Sequence, residues 1–215
     1  MTPRPAPARD CALCPRLVAY RQLNARDEPH WFNGAVPSFG DADARLLIVG
    51  LAPGRTGANR TGRPFTGDWA GDLLYPTIAK FGLSTGRFDP DGDDDLRLTG
   101  AMITNAVRCV PPQNKPVGEE MANCRPFLAA RIAALPHLQV IITLGRIAHD
   151  NTLKALGLKL SAYAFGHGAR HDLEGPRGPL IMINSYHCSR YNTNTGRLTE
   201  AMFHDVFEQA CAALT

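Results

Sequence analysis

Cys11 and Cys14 are separated by two residues and followed at once by Pro15. Two thiolates at this spacing can hold one metal centre, which then requires two further ligands. Cys109, just ahead of Pro111 and Pro112, and Cys124, early in a helical stretch, can supply the missing pair. The spacing points to a four-thiolate centre without choosing the metal. Zinc fits it as well as iron, and the first pair alone also fits a redox dithiol. The chain opens with Pro3, Pro5 and Pro7 and lacks the apolar stretch of a signal peptide. Reduced thiols in a cytoplasmic setting are therefore expected, not a disulfide framework. Cys211 falls on the apolar face of the last helical pattern, as an inert core residue. Cys188 sits in a loop where backbone geometry should matter more than its thiol.

Two further segments carry polar chemistry. Residues 50–54 combine Gly50 and Gly54, which allow close backbone approach, with Ala52 and a stiffening Pro53. Backbone N–H groups there can cradle a phosphate, although a plain turn between strand and helix has the same pattern. A polar loop over residues 55–67 follows, with Asn59, Arg60, Thr61, Arg63 and Thr66, and delivers Phe65 and Asp68 to a helix start. The helix dipole favours an ionised carboxylate at that place, so from its local sequence Asp68 reads first as a helix cap. The second segment, residues 185–192, sets His187 beyond a strand end as electrophile or base. Ser189, Arg190 and Asn192 behind it can reach phosphates. His167 and His171 flank a glycine-bearing stretch and read as solvated loop residues.

Positioning these groups falls to alternating strands and helices. Nearly continuous apolar runs at 45–51, 101–107, 139–144 and 180–184 suit strands buried on both faces of a parallel sheet. Helical periodicity fills 68–81, 119–135 and 201–214, the last aligning Met202, Phe203, Val206, Phe207, Ala210 and Leu214 on one face. Further helices are expected over 13–24 and 146–156. This alternation predicts an α/β fold: three αβα layers around a central parallel four-stranded sheet. Such sheets bind ligands outside the carboxyl ends of their strands. Residues 52–67, 108–115, 145–146 and 185–197 lie there. Residues 1–10 are expected to form a disordered tail, and 11–215 a single domain.

Composition agrees with a folded soluble domain, with 44% apolar and 20% charged residues and no apolar run of membrane-spanning length. The formal net charge of +3 is a weak hint of an anionic partner. Five aspartates within residues 89–95 form an acidic loop expected to face away from any phosphate. A monomer without a membrane partner is expected.

Taken together these segments resemble the uracil-DNA glycosylase superfamily, most closely its type B branch, usually called family 5. The matching stretches are C-A-L-C-P-R-L at 11–17, G-L-A-P-G at 50–54 and G-A-N-R-T-G-R-P-F-T-G-D at 57–68. A-V-R-C-V-P-P-Q-N-K-P at 106–116, L-G-R-I-A at 144–148 and S-Y-H-C-S-R-Y-N-T-N-T-G-R-L-T at 185–199 complete the set. They cover nearly the whole chain in the family's order. The resemblance implies a structural [4Fe–4S] cluster on Cys11, Cys14, Cys109 and Cys124. It also implies a monofunctional enzyme of the bacterial or archaeal cytoplasm that initiates base-excision repair. Such an enzyme flips uracil, and other deaminated bases, out of DNA and hydrolyses the glycosidic bond.

Residue roles follow by the same resemblance. His187 donates to uracil O2, Asp68 activates water, and Asn114 helps position water or sugar. Phe65 stacks on the flipped base. Gly54, Ser189 and Arg190 pinch phosphates, and the Ser189–Asn192 loop wedges into the duplex. Three positions depart from the pattern. Residues 50–54 contain no acid, where related branches place one. Asn105 stands where type B relatives can carry a small residue, and implies a narrower preference for uracil. Cys188 replaces the more usual proline or valine. Two rivals are a non-catalytic nucleic-acid-binding protein on the same fold and a hydrolase of free nucleotides that uses residues 50–54 for phosphate.

Overall fold

The computed structural model describes residues 5–214, so part of the expected N-terminal tail lies outside the described residues. Arg9 is drawn onto the fold: its guanidinium lies 4.5 Å from the Phe32 ring centre, and its carbonyl accepts from Arg21 Nη1 at 2.6 Å. In chain order the elements are α1 (Pro15–Asp27), β1 (Phe39–Gly40), β2 (Leu46–Gly50), α2 (Ala58–Thr61), α3 (Trp69–Lys80), β3 (Ser84–Thr85), β4 (Arg97–Leu98) and β5 (Ala101–Asn105). There follow α4 (Gly118–Ala134), β6 (Val140–Leu144), α5 (Arg146–Ala155), β7 (Arg170–Gly175), β8 (Gly178–Ser185), α6 (Arg190–Asn194) and α7 (Glu200–Ala212).

The main sheet has strand order β1-β5-β2-β6-β8-β7. Its centre, β5-β2-β6-β8, is wholly parallel, as the four apolar runs require. The expected four-stranded sheet is extended by β1 and β7, antiparallel strands on its two edges. Neither edge strand is an apolar run. β1 has only two residues, and β7 is Arg-His-Asp-Leu-Glu-Gly with only Leu173 buried.

Alternation along each central strand builds two cores. Leu46 and Ile48 turn to the face covered by α3 and α7, where Leu74, Ile78, Phe203 and Phe207 meet them. Leu47 and Val49 turn to the opposite face, against Leu128 and Ile132 of α4 and Leu153 of α5. Each of these buried side chains contributes roughly 1.5–3 kcal/mol, which makes the sheet a stiff base for the loops at its rim. Among the described residues no helix is long and apolar enough to cross a membrane.

The parallel register also fixes the rim. Gly50 pairs with Asn105 at the carboxyl ends of β2 and β5. The ladder then runs on, with Ala106 N–H donating to Gly50 O and Val107 N–H to Leu51 O, both at 2.9 Å.

Candidate active site

The pocket floor explains Gly50. A Cβ there would lie 2.4 Å from Asn105 Oδ1 and 2.5 Å from Phe65 Cζ, so only glycine admits both side chains. Asn105 is 3% exposed, yet its Oδ1 has no hydrogen-bond partner among the described residues. An orphaned buried acceptor is costly, and a ligand N–H is the natural group to satisfy it.

Phe65 reaches the floor from a loop held under strain. Its φ is +59°, in the left-handed region, where a non-glycine residue costs about 1–3 kcal/mol. The loop is pressed onto the start of α3 so closely that a Cβ on Gly71 would fall 1.8 Å from Phe65 O. Tyr75 Oη holds the neighbouring Pro64 O at 2.6 Å. Arg63 is wedged among the rings of Phe39, Tyr75 and Phe88, with its guanidinium carbon 5.0, 5.5 and 5.8 Å from their centres. It donates to both carboxylate oxygens of Asp94 at 2.7 and 2.6 Å. These bonds hold the Asp94 carboxyl well down, at about 2. Part of the acidic loop is thus a brace for the Phe65 loop, and Arg60 pairs with Asp91 at 2.7 Å beside it.

Asp68 caps α3, with Oδ1 accepting from Ala70 and Gly71 N–H at 3.1 and 3.3 Å. Its other oxygen faces the glycines of the first segment: a Cβ on Gly57 would lie 2.7 Å from Oδ2, and one on Gly54 3.4 Å from it. The two structural possibilities for Asp68 therefore divide between its oxygens, one capping and one open to chemistry. Burial pushes its carboxyl up to about 6, against the lowering effect of the two backbone donors.

His187 must cross the end of β6 to reach this pocket. Gly145 makes the crossing possible. Its φ is +92°, its N–H donates to Ser185 O at 2.8 Å, and a Cβ on it would meet His187 Cβ at 3.4 Å. Burial holds the imidazole down at about 4, so it is neutral near pH 7. Its ring lies 6.1 Å from Phe65, stacked at 28°.

Ala52, Pro53, Gly54, Phe65, Asp68, Asn105 and His187 line one recess. A wider cleft of about 500 Å³ shares Asp68 and His187 with it and collects Asn114, Ser189 and Arg190. Asn114 sits in a short turn with φ +56°. Arg190 lies 5.4 Å over the Trp69 ring. Asn192 stands apart from this cleft, and its amide donates to His187 O at 2.8 Å. Sequence reasoning missed Trp69, although it directly follows Asp68. This half-exposed indole donates through Nε1 to Thr193 Oγ1 at 2.9 Å, tying α3 to α6. His167 and His171 are not solvated loop residues. His167 Nδ1 accepts from Tyr186 N–H at 3.1 Å, and His171 on β7 contacts Ala164 O at 3.1 Å.

The family model of the uracil DNA glycosylase superfamily matches residues 37–211, a stretch that carries every group in this recess. The chain belongs to the uracil-DNA glycosylase superfamily. A type-5 uracil-DNA glycosylase from Thermus thermophilus is 48% identical over 206 residues, covering 93% of this chain and 92% of its own length. One from Pyrobaculum aerophilum is 38% identical, with 94% and 88% covered. A type-4 uracil-DNA glycosylase from Sulfurisphaera tokodaii is 30% identical over 180 residues, with 82% and 74% covered. The similarity to type-5 proteins places this uracil-DNA glycosylase homologue on the branch that its motifs resemble.

The N-terminal extension of this superfamily member gathers the four cysteines. Cys11, Cys14, Cys109 and Cys124 line one small cavity bordered by α1 and α4. Among the described residues no three His, Cys, Asp or Glu side chains are grouped tightly enough to hold a metal ion as they stand. Burial pushes the Cys109 and Cys124 thiols up to about 12 and 11. The fully buried Arg108 stands against them. Its backbone N–H donates to Cys124 Sγ at 3.3 Å, while its Nε and Nη2 have no partner among the described residues. Orphaned cationic donors beside four thiols fit an anionic thiolate-bound centre.

Proposed function

We propose that this protein excises uracil from DNA by monofunctional hydrolysis of the N-glycosidic bond, the first step of base-excision repair. The observation that carries this reading is the recess in which Phe65, Asp68, Asn105 and His187 converge. An extrahelical base entering it would stack on Phe65, an interaction of about 1–3 kcal/mol that any base can use. The Asn105 amide then reads the Watson–Crick edge. Its unpartnered Oδ1 accepts from N3–H, and its NH₂ donates to O4, a pattern that uracil satisfies and cytosine does not.

As the glycosidic bond stretches, the sugar becomes oxocarbenium-like and negative charge collects on the departing base. The neutral His187 donates a hydrogen bond to O2, where that charge develops. One such donor contributes about 3–4 kcal/mol to lowering the barrier. Asp68, held near 6, is ionised at neutral pH and accepts a proton from water through the oxygen its cap bonds leave free. Asn114 borders the same cleft and would orient water or sugar, while Ser189, Arg190 and the backbone of Gly54 would hold phosphates.

Cys11, Cys14, Cys109 and Cys124 would hold a [4Fe–4S] cluster. Its contribution when bound is to cross-link the N-terminal segment to α4 and to the loop after β5. The orphaned Arg108 donors support an anionic thiolate-bound centre, and the motif resemblance to the iron–sulfur branch favours a cluster over zinc. Relatives from bacteria and archaea, such as those of Thermus thermophilus and Pyrobaculum aerophilum, support a cytoplasmic setting.

The deciding experiment incubates the protein with an oligonucleotide holding one uracil and then treats it with alkali. Strand cleavage at the uracil position is expected. An uncleaved strand with retained DNA affinity would favour the non-catalytic binder instead.

A further inference from the structure

A second cleft, of about 370 Å³, lies on the far side of His187 from the base pocket. It is built from loops at the ends of β6 and β8, with the loop leading into β7 and the turn after α6 closing it. Leu51 and His187 border both this cleft and the outer mouth of the pocket, so the two form one continuous track across the strand ends.

Its chemistry is distinctive. Arg146 lies 5.1 Å over Phe165, and Arg197 lies 4.7 Å over Tyr186. The two rings are themselves 6.2 Å apart, tilted at 49°. Arg60 and Arg170, by contrast, each face an acid, Asp91 and Asp172. No Asp or Glu lines this cleft, and neither Arg146 nor Arg197 has an ion pair or hydrogen bond among the described residues. A guanidinium over a ring keeps N–H groups free for phosphate oxygens and a face free for a base. Two cations set over rings in one cleft, without a carboxylate among its lining, therefore suit an anionic ligand that carries planar groups. A nucleotide is such a ligand.

We propose that this cleft binds the nucleotide next to the excised one on the same DNA strand. Its base stacks on the Arg–aromatic platform of Phe165 and Tyr186, and its phosphates bond to Arg146 and Arg197. The proposal rests on the glycosylase reading for the identity of the strand. It adds that the enzyme grips two adjacent positions of the damaged strand, with His187 between them. The imidazole would then be the partition that separates the base being removed from the neighbour being held.

The test measures affinity by fluorescence anisotropy for single-stranded oligonucleotides carrying one non-hydrolysable 2′-fluoro-deoxyuridine. The base immediately 5′ or immediately 3′ of it is left in place or replaced by a stable abasic residue. Removing the base on one of the two sides should weaken wild-type binding about tenfold, and removing the other should matter little. The Arg146→Ala/Arg197→Ala variant should lose about tenfold on the intact strand, and removing the sensitive base should cost it nothing further. Both side chains are exposed and unbonded, so folding is expected to be unchanged; circular dichroism checks this. Phe165→Leu, which keeps both charges, should by itself abolish the sensitivity to the neighbouring base. Losses that multiply, or a wild type indifferent to the base on either side, would overturn the proposal. Excision of natural uracil is read separately, so a protein that binds with this pattern but releases no uracil would defeat the glycosylase reading alone.

Discussion

The pocket floor and the α6 arm face each other across the same cleft, yet they are built in opposite ways. Around Gly50, Phe65 and Asn105 nearly every atom is pinned. Backbone strain, three rings and a carboxylate fix the loop, and two glycines leave no spare volume. The arm from Ser189 to Asn194 is a single exposed turn, held by the Trp69–Thr193 bond, the Asn192–His187 bond and an arginine on an indole. Tyr191 at its tip is 72% exposed. A group that must distinguish bases by hydrogen-bond pattern gains from rigidity, because a misplacement of 1 Å costs about 100-fold in rate. A group that must find its place against DNA of varied shape gains from few constraints. His187 joins the two regions.

Its removal should give the largest effect. His187→Ala is expected to lower the single-turnover rate of uracil release by about 10²–10³-fold while changing DNA affinity little. A loss of affinity equal to the loss of rate would make His187 part of the arm instead.

Gly50→Ala comes next. The added methyl group displaces Asn105 or Phe65, and the expected loss is about 100-fold in rate with the fold retained. Near-normal activity in that variant would show that the floor is as adaptable as the arm.

The pH profile sharpens the division between the groups. The Asp68 carboxyl lies at about 6 and the His187 imidazole at about 4. Below pH 6 the ionised fraction of Asp68 falls, so the wild-type single-turnover rate should drop about tenfold per pH unit and level off above 6. His187 stays neutral through that window and adds no limb to the curve. Asp68→Asn should be slow at every pH, with the acidic limb gone. A variant that keeps the limb would leave Asp68 as a cap only.

The smallest effect is expected in the arm. Thr193→Val removes the acceptor for Trp69 Nε1, a loss of about 1 kcal/mol. It should weaken DNA binding by roughly fivefold and leave the rate on bound substrate unchanged. A change in that rate would mean that α6 is wired to Asp68 through the indole.

What the sequence discloses here depends on the range of the interaction. The four parallel strands are legible because both of their faces are buried, which writes the sheet into contiguous apolar letters. Edge strands β1 and β7 leave no such trace, since one is two residues long and the other alternates charges. Asp68 and His187 are legible from their places after a strand and before a helix, and the structure brings them together with Phe65 and Asn105. The reason for Gly50 is not legible. A phosphate cradle was a fair expectation, but Asn105 and Phe65, far along the chain, occupy the space its side chain would need. The pairing of Arg63 with Asp94 spans 31 residues, and the second arginine cleft draws on four separate loops. Such groupings exist only once the sheet has set the loop ends side by side.

The Arg63–Asp94 pair has a bearing on how parts of this enzyme could be exchanged with relatives. Their side chains are 12% and 2% exposed, and breaking so enclosed a pair by removing one partner costs about 3–5 kcal/mol. The Phe65 loop and the acidic loop are therefore a single transplantable unit. A chimera that imports one without the other would strand a charge among three rings and tilt the aromatic face on which the base rests. A surface loop that looks dispensable thus belongs to the inheritance of the pocket.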